Sequence, residues 1–192
     1  MKIKYLGHAC FVVGDNDYSI VLDPYKGVNG FEDINVEAND VLCSHSHFDH
    51  AYIDGVKLIK KDSPFKVTLI HTFHDDKKGT LRGENNITIL ESNNKKVVHL
   101  GDLGHLLDMD VIEKLKDADA LLIPIGGYYT IGPDMACKII EDVNPRVIIP
   151  MHYKDNNKGL DVLKTVDDFL QLYKGDKDKL KLVRGYGEEI EI

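Results

Sequence analysis

Three histidines and an aspartate fall within six positions, His45, His47, Asp49 and His50 in the stretch HSHFDH, directly behind the apolar run 41–43. The run DVLC reads as a buried strand and SHSHFDH as the loop at its C-terminal end, leading into a short helix near Asp49. Strand ends of this kind are where open α/β sheets place their chemistry. Imidazole and carboxylate are ligands that suit zinc, iron or manganese without any thiolate. Two histidines separated by one residue can grip one ion on an extended backbone, and Asp49 and His50 can face a second. The competing reading is a solvated loop that happens to be rich in histidine; it accounts for one isolated histidine better than for four ligand-type residues together.

The remaining chain supplies strands and helices in a definite order. Short β-rich runs dominate the first half, KIKYL, CFVV, YSIVLD, DVLCS, KVTLI, NITILES and KVVHL, separated by turn residues such as GDND and ENN. Helical spacing then appears at Val111, Leu115 and Ala118, at Met135, Ile139 and Val143, and at Leu163, Val166, Leu170 and Tyr173. Between these lie ALLIPI and RVIIP, short enough for buried strands, while LKLV and EEIEI read as closing strands. A β-meander followed by βαβα, without a long linker or repeat, implies one domain over residues 1–192.

Composition narrows the function classes. With 24 Lys and Arg against 32 Asp and Glu, the formal charge is -8, which argues against nucleic acid held by phosphate neutralisation. No apolar stretch approaches the roughly 20 residues needed to cross a bilayer, so no membrane partner is expected. Cys10, Cys43 and Cys137 are odd in number and far apart. With an N-terminal stretch unlike a signal peptide, they suggest a reducing, cytoplasmic setting.

HSHFDH matches the H-x-H-x-D-H signature of the metallo-β-lactamase superfamily, and the chain resembles that family nearly throughout. YLGHACFVV and IVLDPY look like its opening strands, FHDDKKGTLRGENNI like its third-ligand segment, VVHLGDLGH like its bridging-aspartate segment and VIIPMHY like its last-ligand strand. The chain is most similar to the compact hydrolase branch that includes ascorbate-6-phosphate lactonases. The resemblance implies an α/β fold of the αββα sandwich type, two mixed sheets face to face with helices outside and metals at one edge. It also implies two divalent transition-metal ions, zinc first and manganese or iron as alternatives. His45, His47 and His74 would hold one ion, Asp49, His50 and His152 the other, and Asp102 would bridge. Two such ions activate a shared water for attack on a carbon or phosphorus centre, with Asp49 orienting it and taking its proton. Asp23, in VLDPY, resembles an early family aspartate that would fix a ligand histidine from behind.

Other histidines carry weaker expectations. His99 lies in an apolar run and reads as a buried core residue, and His71 competes with His74 for the third-ligand place. His8 and His105, in turn-like LGHA and LGHL, are candidates for a proton donor or substrate contact, as is Tyr128 in the Gly-rich stretch PIGGYYTIGPD. That stretch lacks the Lys and Ser/Thr of a phosphate-binding P-loop. The expected reaction is hydrolysis of a small ester, lactone or phosphoester. A non-catalytic metal-binding or ligand-sensing module of the same fold is the rival, and a nuclease lacks the basic groove it needs. Oligomeric state leaves no mark in the sequence.

Overall fold

A computed structural model describes residues 1–192. It divides the chain into β1 (Lys2–Gly7), β2 (Cys10–Asp15), β3 (Tyr18–Leu22), β4 (Val36–Ala38), β5 (Asp40–Leu42), β6 (Val56–Leu58), β7 (Lys66–Phe73), β8 (Glu84–Ser92), β9 (Lys95–His99), α1 (Met109–Leu115), β10 (Ala120–Pro124), α2 (Pro133–Val143), β11 (Val147–Met151), α3 (Val166–Leu172) and β12 (Glu189–Glu191). One sheet has the order β12-β1-β2-β3-β5 and the other β11-β10-β9-β8-β7. Both are mixed: β3 and β5 pair in parallel in the first, and β9, β10 and β11 in the second.

Side-chain alternation builds the layers. Along β10, Ala120 and Leu122 point between the sheets, where they join Phe11, Ile20 and Leu22. Leu121 and Ile123 point the other way and join Ile112, Ile139 and Phe169 of the three helices. With both faces covered, the strand is apolar at every position rather than at every second one. The first sheet is closed differently. Leu6, Cys10 and Val21 pack on Tyr25, Val28, Ile34, Ala38 and Val56. Its outer layer is thus a long loop and the small parallel β4–β6 pair, and all three α-helices lie on the second sheet.

Local signals set the helix ends. Pro133 opens α2 behind Gly132, and Asn144 closes it in the left-handed conformation. A reciprocal capping box between Thr165 and Asp168 starts α3, so Leu163 packs ahead of the helix instead of within it. Three other expectations change, and ENN is the first: Glu84, Asn85 and Asn86 open β8 instead of forming a turn. No helix forms at Asp49, because the N–H groups of His50 and Ala51 both donate to the His47 carbonyl in a turn, and one 3₁₀ turn follows at Ile53–Gly55. LKLV is not a strand; Leu180 makes a single bridge to Ile148. No helix is long and apolar enough to cross a membrane.

Candidate metal centre

Strand direction gathers the site. Pairing makes β1, β3 and β5 run one way in the first sheet, and β7, β9, β10 and β11 one way in the second. Every expected ligand follows the C-terminal end of one of these strands, as do Asp23, His8 and Tyr128: His8 after β1, Asp23 after β3, residues 45–50 after β5, His74 after β7, Asp102 after β9, Tyr128 after β10 and His152 after β11. Segments distant in sequence thereby meet at one edge of the sandwich.

Asp102 lies at the centre. Its Oδ2 is 3.1 Å from His74 Nε2, 3.2 Å from His152 Nε2, 3.3 Å from His50 Nε2 and 4.0 Å from His45 Nε2. On one side of it, the donor atoms of His45, His47 and His74 lie within 4.8 Å of one another. On the other side, those of His8, Asp49, His50 and His152 do the same. His8 therefore stands inside the cluster, with Nε2 3.4 Å from Asp49 Oδ2 and its ring 4.1 Å from that of His152.

Hydrogen bonds from behind fix the tautomers. His50 donates Nδ1–H to Asp23 Oδ2 at 2.8 Å. Ser44 donates its single O–H to the same oxygen at 2.6 Å, so its Oγ accepts from His45 Nδ1–H at 2.9 Å. His74 donates Nδ1–H to the Tyr129 carbonyl at 3.0 Å. With Nδ1–H engaged behind, each ring turns its Nε2 towards the cluster, which is how ligand imidazoles are held. The test of fit is what those atoms meet. Nε2 of His45, His50 and His152 and Oδ1 of Asp102 are buried without any hydrogen-bond partner. Orphaned groups of this kind cost on the order of 1–3 kcal/mol each, and a cation would satisfy several at once.

The charges agree. Burial alone would raise the Asp102 carboxyl, but the imidazoles of His152 and His50 outweigh it and hold it well below the usual range. Burial opposes protonation of His50, yet Asp102 and Asp23 push its pKa well above the ordinary value. For Asp49, burial is again overcome, here by His8 and His50, and the group stays ionised. Burial and the neighbouring His50 bring His45 down to about 3. Burial and His152 bring His8 down to about 4. Ionised carboxylates thus face the neutral imidazoles of His45 and His8, and the proton drawn to His50 lies where a metal cation would compete for it.

Left-handed backbone recurs at the same edge: His8, Asp23, Tyr128 and His152 have φ of 53°, 48°, 57° and 52°, a conformation uncommon for His and Tyr. Gly104 is required by close approach, since a Cβ there would lie 2.3 Å from the Asp75 amide nitrogen and the His74 carbonyl carbon.

Not every singled-out residue reaches the cluster. His71 projects from β7 in the pair with Asn86 and is exposed. His105 has both ring nitrogens engaged, Nδ1 donating to the Leu106 carbonyl and Nε2 accepting from the Phe73 amide, so it braces the loop. His99 is buried, bonded to Ala9 and Gly101. Tyr128 is exposed, one residue from the carbonyl that holds His74. Sequence reasoning missed Ser44 and Asn85, whose Oδ1 accepts from the Asp102 amide. Ser44 had a signal in its place directly before a ligand-type histidine; Asn85 had none.

A two-sheet sandwich with a cluster of imidazoles and carboxylates at one edge defines a metallohydrolase-type fold. A family model described as "Beta-lactamase superfamily domain" matches residues 2–152, and the chain belongs to the metallo-β-lactamase superfamily. A Desulforamulus reducens protein named UPF0173 metal-dependent hydrolase is 30% identical over 80% of this chain and 84% of its own. An Archaeoglobus fulgidus protein of the same name is 28% identical over 100% of this chain and 94% of its own. Among solved structures, a candidate Zn-dependent hydrolase of the superfamily from Thermotoga maritima is 37% identical, with a TM-score of 0.71 over 91% of this chain and 86% of that one.

Proposed function

We propose that this edge holds two divalent transition-metal ions and hydrolyses a small ester, lactone or phosphoester. The coarser statement follows from kinship: the chain is a metal-dependent hydrolase of the metallo-β-lactamase superfamily. The observation that carries the finer one is the central position of Asp102 Oδ2 between two groups of donor atoms. In this reading His45, His47 and His74 would hold one ion and Asp49, His50 and His152 the other, with Asp102 available to both and zinc the first candidate. Bound there, the metal supplies Lewis acidity that favours ionised water near neutral pH and polarises the bond to be cleaved.

The chain's own groups do the rest. Asp23 and Ser44 orient His50 and His45, and the Tyr129 carbonyl orients His74. Asp49, ionised and only 8% exposed, orients the attacking water and accepts its proton. His47 is exposed and leaves the site open to substrate. The test is to strip the protein with chelator, reload it with Zn²⁺, Mn²⁺ or Fe²⁺, and assay aryl esters, lactones and bis(4-nitrophenyl) phosphate. Turnover lost with the metal and restored by it supports the proposal. Elemental analysis showing a full site with no turnover of any substrate would favour a non-catalytic binding module.

A further inference from the structure

A cleft of about 400 Å³ opens beside the metal centre, lined by Ser44, His45, Ser46, His47, Arg82, Gly83, Glu84 and Asn86. No apolar side chain lines it, so it is suited to a polar guest. One wall is the loop that carries His45 and His47; the other is the end of the β7–β8 loop, where Arg82 sits, with the start of β8.

Arg82 is a placed cation. The buried Asp75 carboxylate accepts four backbone N–H groups, from Lys77, Gly79, Leu81 and Arg82, at 2.7 to 3.0 Å, and fixes the hairpin loop. The His74 amide donates to the Gly83 carbonyl at 3.1 Å, tying Arg82's neighbour to the cluster. The guanidinium lies 5.7 Å from the ring centre of Tyr129, the residue whose carbonyl holds His74. The ring takes up none of the guanidinium N–H groups, so the planar fork stays free to bind oxygen pairs. No carboxylate forms an ion pair with Arg82, whereas Arg146 is paired with Asp119. In a chain of net charge -8, an unpaired arginine beside the reaction centre is a departure from the general field.

We propose that Arg82 makes this cleft a recognition site for an anionic group carried by the substrate, a carboxylate in the simplest case, while the scissile bond lies at the metal centre. The proposal rests on the hydrolytic reading above and deepens it: substrates are anions, and Arg82 determines specificity for them. Glu84, exposed on the same wall, sets the outer limit, because an anion displaced towards it is repelled.

The experiment compares two esters with one leaving group, 4-nitrophenyl butyrate and the 4-nitrophenyl monoester of glutaric acid, on metal-loaded protein with background hydrolysis subtracted. Wild type should prefer the anionic ester. Arg82→Ala should lower that preference, the ratio of the two kcat/KM values, by about 10- to 100-fold, as expected for loss of a charge-assisted bidentate contact. Arg82→Lys should recover part of it, with the change mainly in KM. Arg184→Ala, which removes the same charge outside the cleft, controls for net charge. If wild type turns over neither ester, the hydrolytic reading has failed for this chemistry. The uncleaved esters are then titrated as ligands, and Arg82→Ala should abolish the tighter binding of the anion. Absence of any anion preference in wild type, or a preference that survives Arg82→Ala, overturns the proposal in either format.

Discussion

Asp23 Oδ2 accepts from His50 Nδ1 at 2.8 Å, and the same oxygen takes the Ser44 hydroxyl that in turn holds His45. One buried carboxylate therefore orients an imidazole on each side of the cluster. Asp23→Ala should weaken metal binding about 10- to 100-fold, the usual effect of losing an outer partner, and at both sites rather than one. Competition against a fluorescent chelator measures this. A loss confined to one site would show that Ser44 holds His45 without Asp23.

Asp102 presents the opposite asymmetry. Asp102→Ala leaves His45, His47 and His74 able to chelate alone but removes the group that keeps two like charges close. The second ion should bind much more weakly than the first, and calorimetric titration should change to sequential binding. Two unchanged sites in the variant would remove Asp102 from the bridging role.

His74 and His71 provide a paired test. His74→Ala should abolish one site, because its Nε2 lies 3.1 Å from Asp102. His71→Ala should leave metal content and turnover near wild type, since that ring is exposed. The reverse pattern would exchange the two assignments.

Much of this was legible in the chain and some was not. Continuous apolar runs marked β10 and β11 because both faces are covered, and the residue at the end of each strand followed from the runs themselves. Spacing alone places Leu163 in α3, because it cannot register that Thr165 and Asp168 cap the helix after it. LKLV has strand composition, but strand pairing needs a partner along its length, and only Leu180 finds one. The sequence places His8 in a turn-like stretch beside the site; its burial within the cluster depends on β1 and β11 meeting across the sandwich, where the His152 amide donates to the His8 carbonyl at 3.2 Å. Contacts of that range leave no local signal.

Protonation gives a fourth expectation. Asp102 and Asp23 raise the folded pKa of His50 well above its ordinary value against the effect of burial, so the metal-free ring favours its proton and metal binding competes with it. His45 and His8, held low, have none to lose. Calorimetry in buffers of different ionisation enthalpy should show about one proton released with occupation of the His50 site. Identical heats in all buffers would contradict it. Asp102 and Asp23 have lowered folded values, so the stability they add is complete above the ordinary aspartate pKa of about 3.9. It is lost as pH falls through their folded values. Metal-free protein should show this as acid unfolding monitored by circular dichroism.

Gly104→Ala tests packing without touching a ligand-type residue. Its Cβ would enter the space held by the backbone of His74 and Asp75, so the hairpin must shift and carry His74 with it. Metal affinity should fall while secondary structure persists; unchanged affinity would mean that the loop yields without moving His74.

The nearness of His45, His47, Asp49 and His50 in sequence has a thermodynamic consequence for the denatured chain. Four ligand-type side chains within six residues remain close whether or not the sheets are docked, so the unfolded polypeptide is itself a chelator. Metal stabilises a fold only by the difference in its affinity for the two states. The rise in melting temperature on adding metal should therefore fall short of what the native affinity alone would give. The groups that create the difference are the distant ones, His74, Asp102 and His152, which only the finished sandwich delivers.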